Sequence, residues 1–315
     1  MPGGQFNISG NASFEWIKFT QDPSVENSEG GVINAPLNIN GIQGKLEIKN
    51  CIFEGTQSSS GGAISSTVDY GSQFSIADCQ FKNCYSSGSS GAVDLTVYTA
   101  GKYSMSNIVF DSCKCVYIGG GLYISQTCPN IEINTIRFIN CEAQRGGGLY
   151  LYLSGGQTTI KGASSFVGCK TSGLSFRDEG PLGGAMYLYI NGDEGKFDMQ
   201  GASFDSCTCS QPGNAGAIYV LKYSYSNVSI TNTSFINCKT IANSSNATEG
   251  FGGAIFINTT GTTAAFSSDN HKMTGLTFTG CQSVSGAGHN MHHNLTNTIN
   301  TGSIIKSNYL ITDGL

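Results

Sequence analysis

Twelve cysteines are the residues of this chain with the most chemistry to offer. Their spacing is neither a zinc-finger pattern nor a redox Cys-x-x-Cys pair. Seven of them close a repeated unit, Phe-x-x-Cys, at Phe81-Cys84, Phe110-Cys113, Phe138-Cys141, Phe166-Cys169, Phe204-Cys207, Phe235-Cys238 and Phe278-Cys281. Cys51 and Cys79 each stand two residues before a repeat phenylalanine, while Cys115, Cys128 and Cys209 join no pattern. His289, His292 and His293 have the residue type for a metal, but they lie among polar residues where the repeat fades, with no carboxylate nearby. A solvated tail is the simpler reading. Acid–base chemistry needs clustered carboxylates with a basic partner. Only Arg145 and Arg177-Asp178-Glu179 come near this, on neighbouring repeats, and a surface salt bridge accounts for them; Asp193-Glu194 stands apart. No nucleotide-binding loop or Ser/His/Asp arrangement is present. No catalytic residue, metal site or cofactor is assigned, and the expectation is a protein that is not an enzyme.

Two other residue sets could carry recognition. Tyr123, Tyr150, Tyr187, Tyr219 and Phe256 each fall three residues after the second glycine of a repeated Gly-Gly unit, and Tyr152 and Tyr189 follow two positions later. Aromatic faces aligned in this way suit sugar rings or the centre of a protein interface. Asn7, Asn11, Asn227, Asn232, Asn243, Asn246, Asn258 and Asn294 head Asn-x-Ser/Thr sequons, the acceptor pattern for N-glycosylation in a eukaryotic secretory pathway.

The elements that must position these residues follow from the repeat itself. The glycine unit recurs as Gly61-Gly62-Ala63-Ile64, Gly119-Gly120-Gly121-Leu122, Gly146-Gly147-Gly148-Leu149, Gly183-Gly184-Ala185-Met186 and Gly252-Gly253-Ala254-Ile255, and alternates with the phenylalanine unit at an undisturbed period of 28 or 29 residues. Phe14 and Phe53 head two earlier copies without cysteine. Between the units runs an apolar–polar alternation, as in Leu46-Glu47-Ile48, Phe74-Ser75-Ile76 and Val228-Ser229-Ile230. Period-two alternation predicts strands. Equivalent strands of successive repeats can pair only in parallel, and parallel crossovers are right-handed. The chain is therefore read as all-β: a single-stranded right-handed parallel β-helix of about nine three-strand rungs, forming one domain over 1–315, regular over about 5–288 and irregular over 289–315. Asn11, Asn50, Asp78, Asn107, Gly201, Asn232 and Gly275, three residues before each phenylalanine, mark a corner.

Composition agrees. Charged residues make up 12% of the chain and the net charge is −5, with no basic cluster, which excludes a nucleic-acid groove. No apolar run approaches the ~18–20 residues that cross a bilayer. Met1-Pro2-Gly3-Gly4 has no signal-peptide character, so an export segment is expected to have been removed.

The alternating Gly-Gly-Ala-Ile and Phe-x-x-Cys units resemble the repeats of the chlamydial polymorphic membrane proteins over residues 5 to 288. Here cysteine replaces the asparagine of the family's Phe-x-x-Asn motif in seven rungs, and no C-terminal outer-membrane barrel follows. The resemblance implies a right-handed β-helix of the pectin-lyase type with a surface-exposed adhesive role.

Stacking then makes definite expectations. The seven aromatics form one outward, exposed platform for a glycan or protein ligand. Three insertions, after Phe14, Phe166 and Phe235, leave one corner beside it. Adjacent-rung spacing puts Cys51 with Cys79, and Cys84 with Cys113, in reach of disulfides; the alternative is a ladder of buried thiols. The strand pattern reaches close to both chain ends, with a further partial rung at Ser303-Ile304-Ile305, so head-to-tail self-assembly into a fibre is the main rival to the adhesive scaffold, ahead of a polysaccharide lyase or hydrolase. Either way the location is extracellular or at the cell surface, without insertion into a membrane by this segment.

Overall fold

In a computed structural model, residues 6–22, 29–37, 41, 43–98, 101–127, 130–173, 180–192, 194–223, 225–242, 250–260 and 270–295 are described. Among them the chain is strand and turn, and each strand pairs in parallel with its equivalents one repeat away. Three sheets enclose one core. The strands that follow the glycine unit form a ten-stranded sheet, from Phe6–Asn7 through Leu149–Leu153 and Met186–Ile190 to Met291–Leu295. The alternating strands and the phenylalanine strands share the second sheet, of sixteen strands, and in two turns they fuse into Lys102–Asp111 and Ile131–Ile139. The third sheet has seven short strands after the cysteine, such as Lys114–Cys115 and Thr208–Ser210.

That third side counts seven complete turns, with partial turns beyond it at both ends, where about nine equal rungs were expected. It left no apolar signature in the sequence because its inward column is small and polar: Ser58, Ser86, Cys115, Ala143, Thr171, Cys209 and Thr240 are buried there. Cys115 and Cys209, unassigned by spacing, belong to this column.

Left-handed backbone bends the chain at each side. The predicted corner is present at Asn50, Asp78, Asn107, Asn232, Gly201 and Gly275, with Thr135 in the same column. A second column (Gly55, Asn83, Ser112, Asn140, Gly168, Ser206, Asn237, Gly280) lies two residues after each phenylalanine, and the first glycine of each Gly-Gly unit makes the third. The second glycine is required for another reason. A Cβ on Gly184 would lie 2.1 Å from the carbonyl oxygen of Gly216 in the next turn.

Inside, one phenylalanine per turn stacks into a column from Phe19 to Phe278, with successive centroids 4.5–5.1 Å apart. Each buried ring contributes about 1.5–3 kcal/mol through burial. Phe19, not Phe14, begins the column. Phe14 pairs with Ile48 and is offset by one strand, so the corner of the first turn falls at Trp16 rather than Asn11. The strand Met291–Leu295 continues the ten-stranded sheet beyond residue 288, against the expected irregular tail, because Met291 and His293 take the register of Ile255 and Ile257.

Candidate functional site

The aromatic column forms as the repeat dictates. Register pairs Tyr123 with Tyr150, Tyr150 with Tyr187, Tyr187 with Tyr219 and Tyr219 with Phe256. Ring centroids along it are 5.5, 4.7, 5.2 and 5.2 Å apart, and His292 adds a further ring 5.2 Å beyond Phe256. The expected exposure is overturned. Tyr150, Tyr187, Tyr219 and Phe256 are buried, at 3–8% exposure, in a second apolar cluster outside the main core.

A ridge covers them. Ile118, Arg145, Leu182 and Asn214 join one another by isolated parallel bridges immediately before the glycine corner, and Leu182 and Phe251 pack with the rings. The Arg145 guanidinium sits 5.8 Å from the Tyr187 centroid, a cation–π contact. This places Arg145 on the ladder; Arg177, Asp178, Glu179 and Asp193 lie outside the described residues. The ridge residues share a position in the repeat, each immediately preceding the first residue of its glycine unit, but that position alone does not show that they rise over the rings. Burial pushes the Tyr150 hydroxyl well above the ordinary tyrosine range, with smaller contributions from neighbouring tyrosines.

What remains accessible is the next column. Tyr152 and Tyr189 are half-buried, meet edge to face at 5.1 Å, and stand beside exposed Tyr223 and Tyr225. Tyr189 and Tyr223 share a hydroxyl hydrogen bond, and the Asn191 amide donates to the Tyr152 hydroxyl at 2.7 Å. Tyr98 is exposed on an earlier turn at the same edge. Tyr223 ends the strand Ile218–Tyr223, and Tyr225 and Tyr98 follow theirs, so all three escaped the sequence reading by lying beyond the positions the repeat fixes.

At the other end of the aromatic column, Asp94 occupies the tyrosine position and accepts a 2.7 Å bond from the Ser60 hydroxyl. Burial raises its carboxyl to about 6, against the opposing effect of the Ser60 bond.

The expected disulfides are absent: Cys51, Cys79, Cys84 and Cys113 are free, as are the other described cysteines, all buried. In-register parallel strands hold equivalent side chains about 4.8 Å apart. That satisfies the Cα criterion for a disulfide but exceeds the ~3.8 Å Cβ separation the bond prefers. The thiols instead donate to the phenylalanine carbonyl of the preceding turn, as Cys113 does to Phe81 at 3.5 Å and Cys207 to Phe166 at 3.5 Å. Burial pushes Cys79, Cys115 and Cys209 up to about 12, so they are protonated and unreactive at neutral pH. Cys128 lies outside the described residues.

His289 is exposed, its Nδ1 accepting from the Ser283 N–H at 3.0 Å, but the other two histidines are not a solvated tail. His292 stacks on Phe251 and Phe256, and His293 stacks on buried His271 at 5.2 Å with Thr259 Oγ1 3.2 Å from its Nε2. Lys222, fully buried beside them, donates to the Asn270 carbonyl at 3.2 Å. Burial holds Lys222 down at about 7 and His293 at about 3. No three His, Cys, Asp or Glu among the described residues converge as a metal site.

Of the sequons, Asn7, Asn11, Asn232 and Asn294 are exposed and Asn227 and Asn258 half-buried. Asn243 and Asn246 fall outside the described residues, as do residues 174–179 of the Phe166 insertion and the Ser303-Ile304-Ile305 segment.

These features define a parallel β-solenoid with one aromatic stack inside its core and another laid along its outer face. No protein-family model, curated protein or solved structure matches the chain.

Proposed function

We propose that the chain is a non-catalytic extracellular scaffold that presents a binding surface on the outer face of its ten-stranded sheet. The ligand is a glycan or protein, held by Tyr152, Tyr189 and Tyr223. The observation that carries this reading is the half-exposed tyrosine row packed alongside a column of buried, stacked rings. Such packing fixes the accessible rings without their losing much freedom on binding, and tyrosine offers both an apolar face and a hydroxyl. The likeness to surface adhesin repeats points the same way. Exposed sequon asparagines suit a secreted glycoprotein, and ladder geometry explains how a cysteine-rich chain keeps its thiols free there.

The test is a Tyr152→Ala/Tyr189→Ala variant compared with the parent protein on a glycan array and an array of extracellular-matrix proteins. The parent is expected to retain at least one ligand that the variant loses with its fold intact. No retained ligand on either array, or equal retention by both proteins, would rule out this surface.

A second reading, head-to-tail self-assembly, draws on the exposure of Phe6, Trp16 and Ile17 on the first described turn. Electron microscopy would then find rods longer than one chain, and uniform monomers would contradict it.

A further inference from the structure

The outer face of the sixteen-stranded sheet carries a shallow depression of about 300 Å³, away from the tyrosine row. It crosses four consecutive strands, Gln157–Lys161, Lys196–Gln200, Asn227–Thr231 and His271–Thr274. Its lining is hydrogen-bonding side chains, chiefly Gln157, Asp198, Gln200, Ser229, Thr231 and Lys272. Register fixes their arrangement. Asp198, Ser229 and Lys272 stand directly above one another, and Gln200 and Thr231 form a parallel file two residues along. Gln157 Nε2 donates to Asp198 Oδ2 at 2.6 Å, holding the carboxylate in place with its other oxygen and lone pairs available.

From this geometry we infer that the strip binds a linear, neutral, extended glycan of β-linked pyranoses lying along the solenoid axis, one ring per strand. Three features select that ligand. Amides, hydroxyls, a carboxylate and an ammonium supply both donors and acceptors, which a polyol can satisfy in turn and an apolar ligand cannot. The one acid and one base cancel, and the chain as a whole is acidic, so a polyanion gains nothing here. The files repeat at the strand spacing of about 4.8 Å, close to the advance per residue of an extended β-linked glycan and unlike that of a coiled α-linked one. This site is separate from the tyrosine row and stands or falls independently of it.

Cellohexaose and maltohexaose are the probes, titrated into the protein by calorimetry and saturation-transfer NMR. Cellohexaose is expected to bind, maltohexaose at least tenfold more weakly. Asp198→Ala and Gln200→Ala should each lower cellohexaose affinity at least tenfold with circular dichroism unchanged. Absence of cellohexaose binding would overturn the proposal, as would equal affinity for the two sugars. Binding that survives both strip variants would also overturn it by placing the sugar elsewhere.

Discussion

Replacing Tyr187 by alanine separates the two possible lives of the aromatic column. If the ring stood on an exposed platform, its loss would leave stability within about 0.5 kcal/mol of the parent. In the structure Tyr187 is 3% exposed, stacked at 4.7 Å on Tyr150 and 5.2 Å on Tyr219, with Arg145 over its face. Truncating a buried aromatic to alanine costs about 3–5 kcal/mol, and this figure already contains the lost ring contacts. Tyr187→Ala is therefore expected to destabilise by about 3–5 kcal/mol, and Tyr189→Ala, half-exposed and two residues away, by about 1 kcal/mol or less. Urea unfolding followed by far-ultraviolet circular dichroism measures both. The slope of each transition must be compared as well, because a solenoid can lose terminal turns before the rest. Equal, small effects from the two substitutions would refute the buried ladder, and with it the choice of Tyr189 over Tyr187 as a ligand contact.

Asp94 has a folded pKa of about 6 against about 4 when unfolded. Its protonation therefore favours the native state at low pH, an advantage lost as pH rises from 4 through 6. Asp94→Asn should stabilise the protein by about 2 kcal/mol at pH 7 and remove that slope; an unchanged pH profile would refute the assignment. His271 and His293 have the opposite sign, since burial holds them below their ordinary range. Below pH 6.5 the unfolded chain takes up protons that the native state refuses, costing about 1.4 kcal/mol per pH unit for each histidine. Protection factors across 271–295, corrected for the intrinsic pH dependence of amide exchange, should be lower at pH 5 than at pH 7.5, and equal protection would contradict it. Iodoacetamide should label the described cysteines only after denaturation, and mass spectrometry of the native protein finding label at Cys113 or Cys141 would exclude the thiol ladder. Gly184→Ala, whose Cβ would meet a carbonyl 2.1 Å away, should cost more than the roughly 1 kcal/mol that an ordinary strand substitution does; thermal melts decide.

How much of this was written in the sequence depends on whether a feature is a column or a contact between columns. Phe81, Phe110 and Phe138 announce themselves because each turn repeats the same burial, and register follows once like residues stack. The corners at Asn50, Asp78 and Asn107 were equally legible, since few residue types adopt a left-handed bend. Exposure of the tyrosines was not. Tyr150 alternates with inward Leu149 and Leu151, which correctly puts it outside the core. Whether an outward residue meets water depends on what the chain does before the next glycine, and there Ile118, Arg145 and Leu182 rise into a ridge. The third sheet was silent for a different reason. Ser86, Cys115, Cys209 and Thr240 are inward yet small, and their hydroxyls and thiols donate to nearby backbone carbonyls, so a pattern search tuned to large apolar residues passes over them. Phe14 misled because in the first turn a phenylalanine occupies the alternating strand, in register with Ile48, five residues before the column's own Phe19.

The ladders also limit where selection can place a function. A position inside a stack is coupled to its equivalents above and below: Phe138 touches Phe110 and Phe166, and a Cβ on Gly147 would strike the Gly184 carbonyl oxygen 2.2 Å away. Changing one such residue disturbs three turns, so these columns are held by packing whatever the protein binds. Outward columns away from the ridge have no such coupling. Thr159, Asp198, Ser229 and Lys272 occupy a single file with three different chemistries, and Ser125, Tyr152, Tyr189, Leu221 and Asn258 on the ten-stranded sheet one with four. Variation confined to outward files on an invariant interior is what a scaffold for recognition requires, because the surface can change one turn at a time while the register beneath it stays fixed.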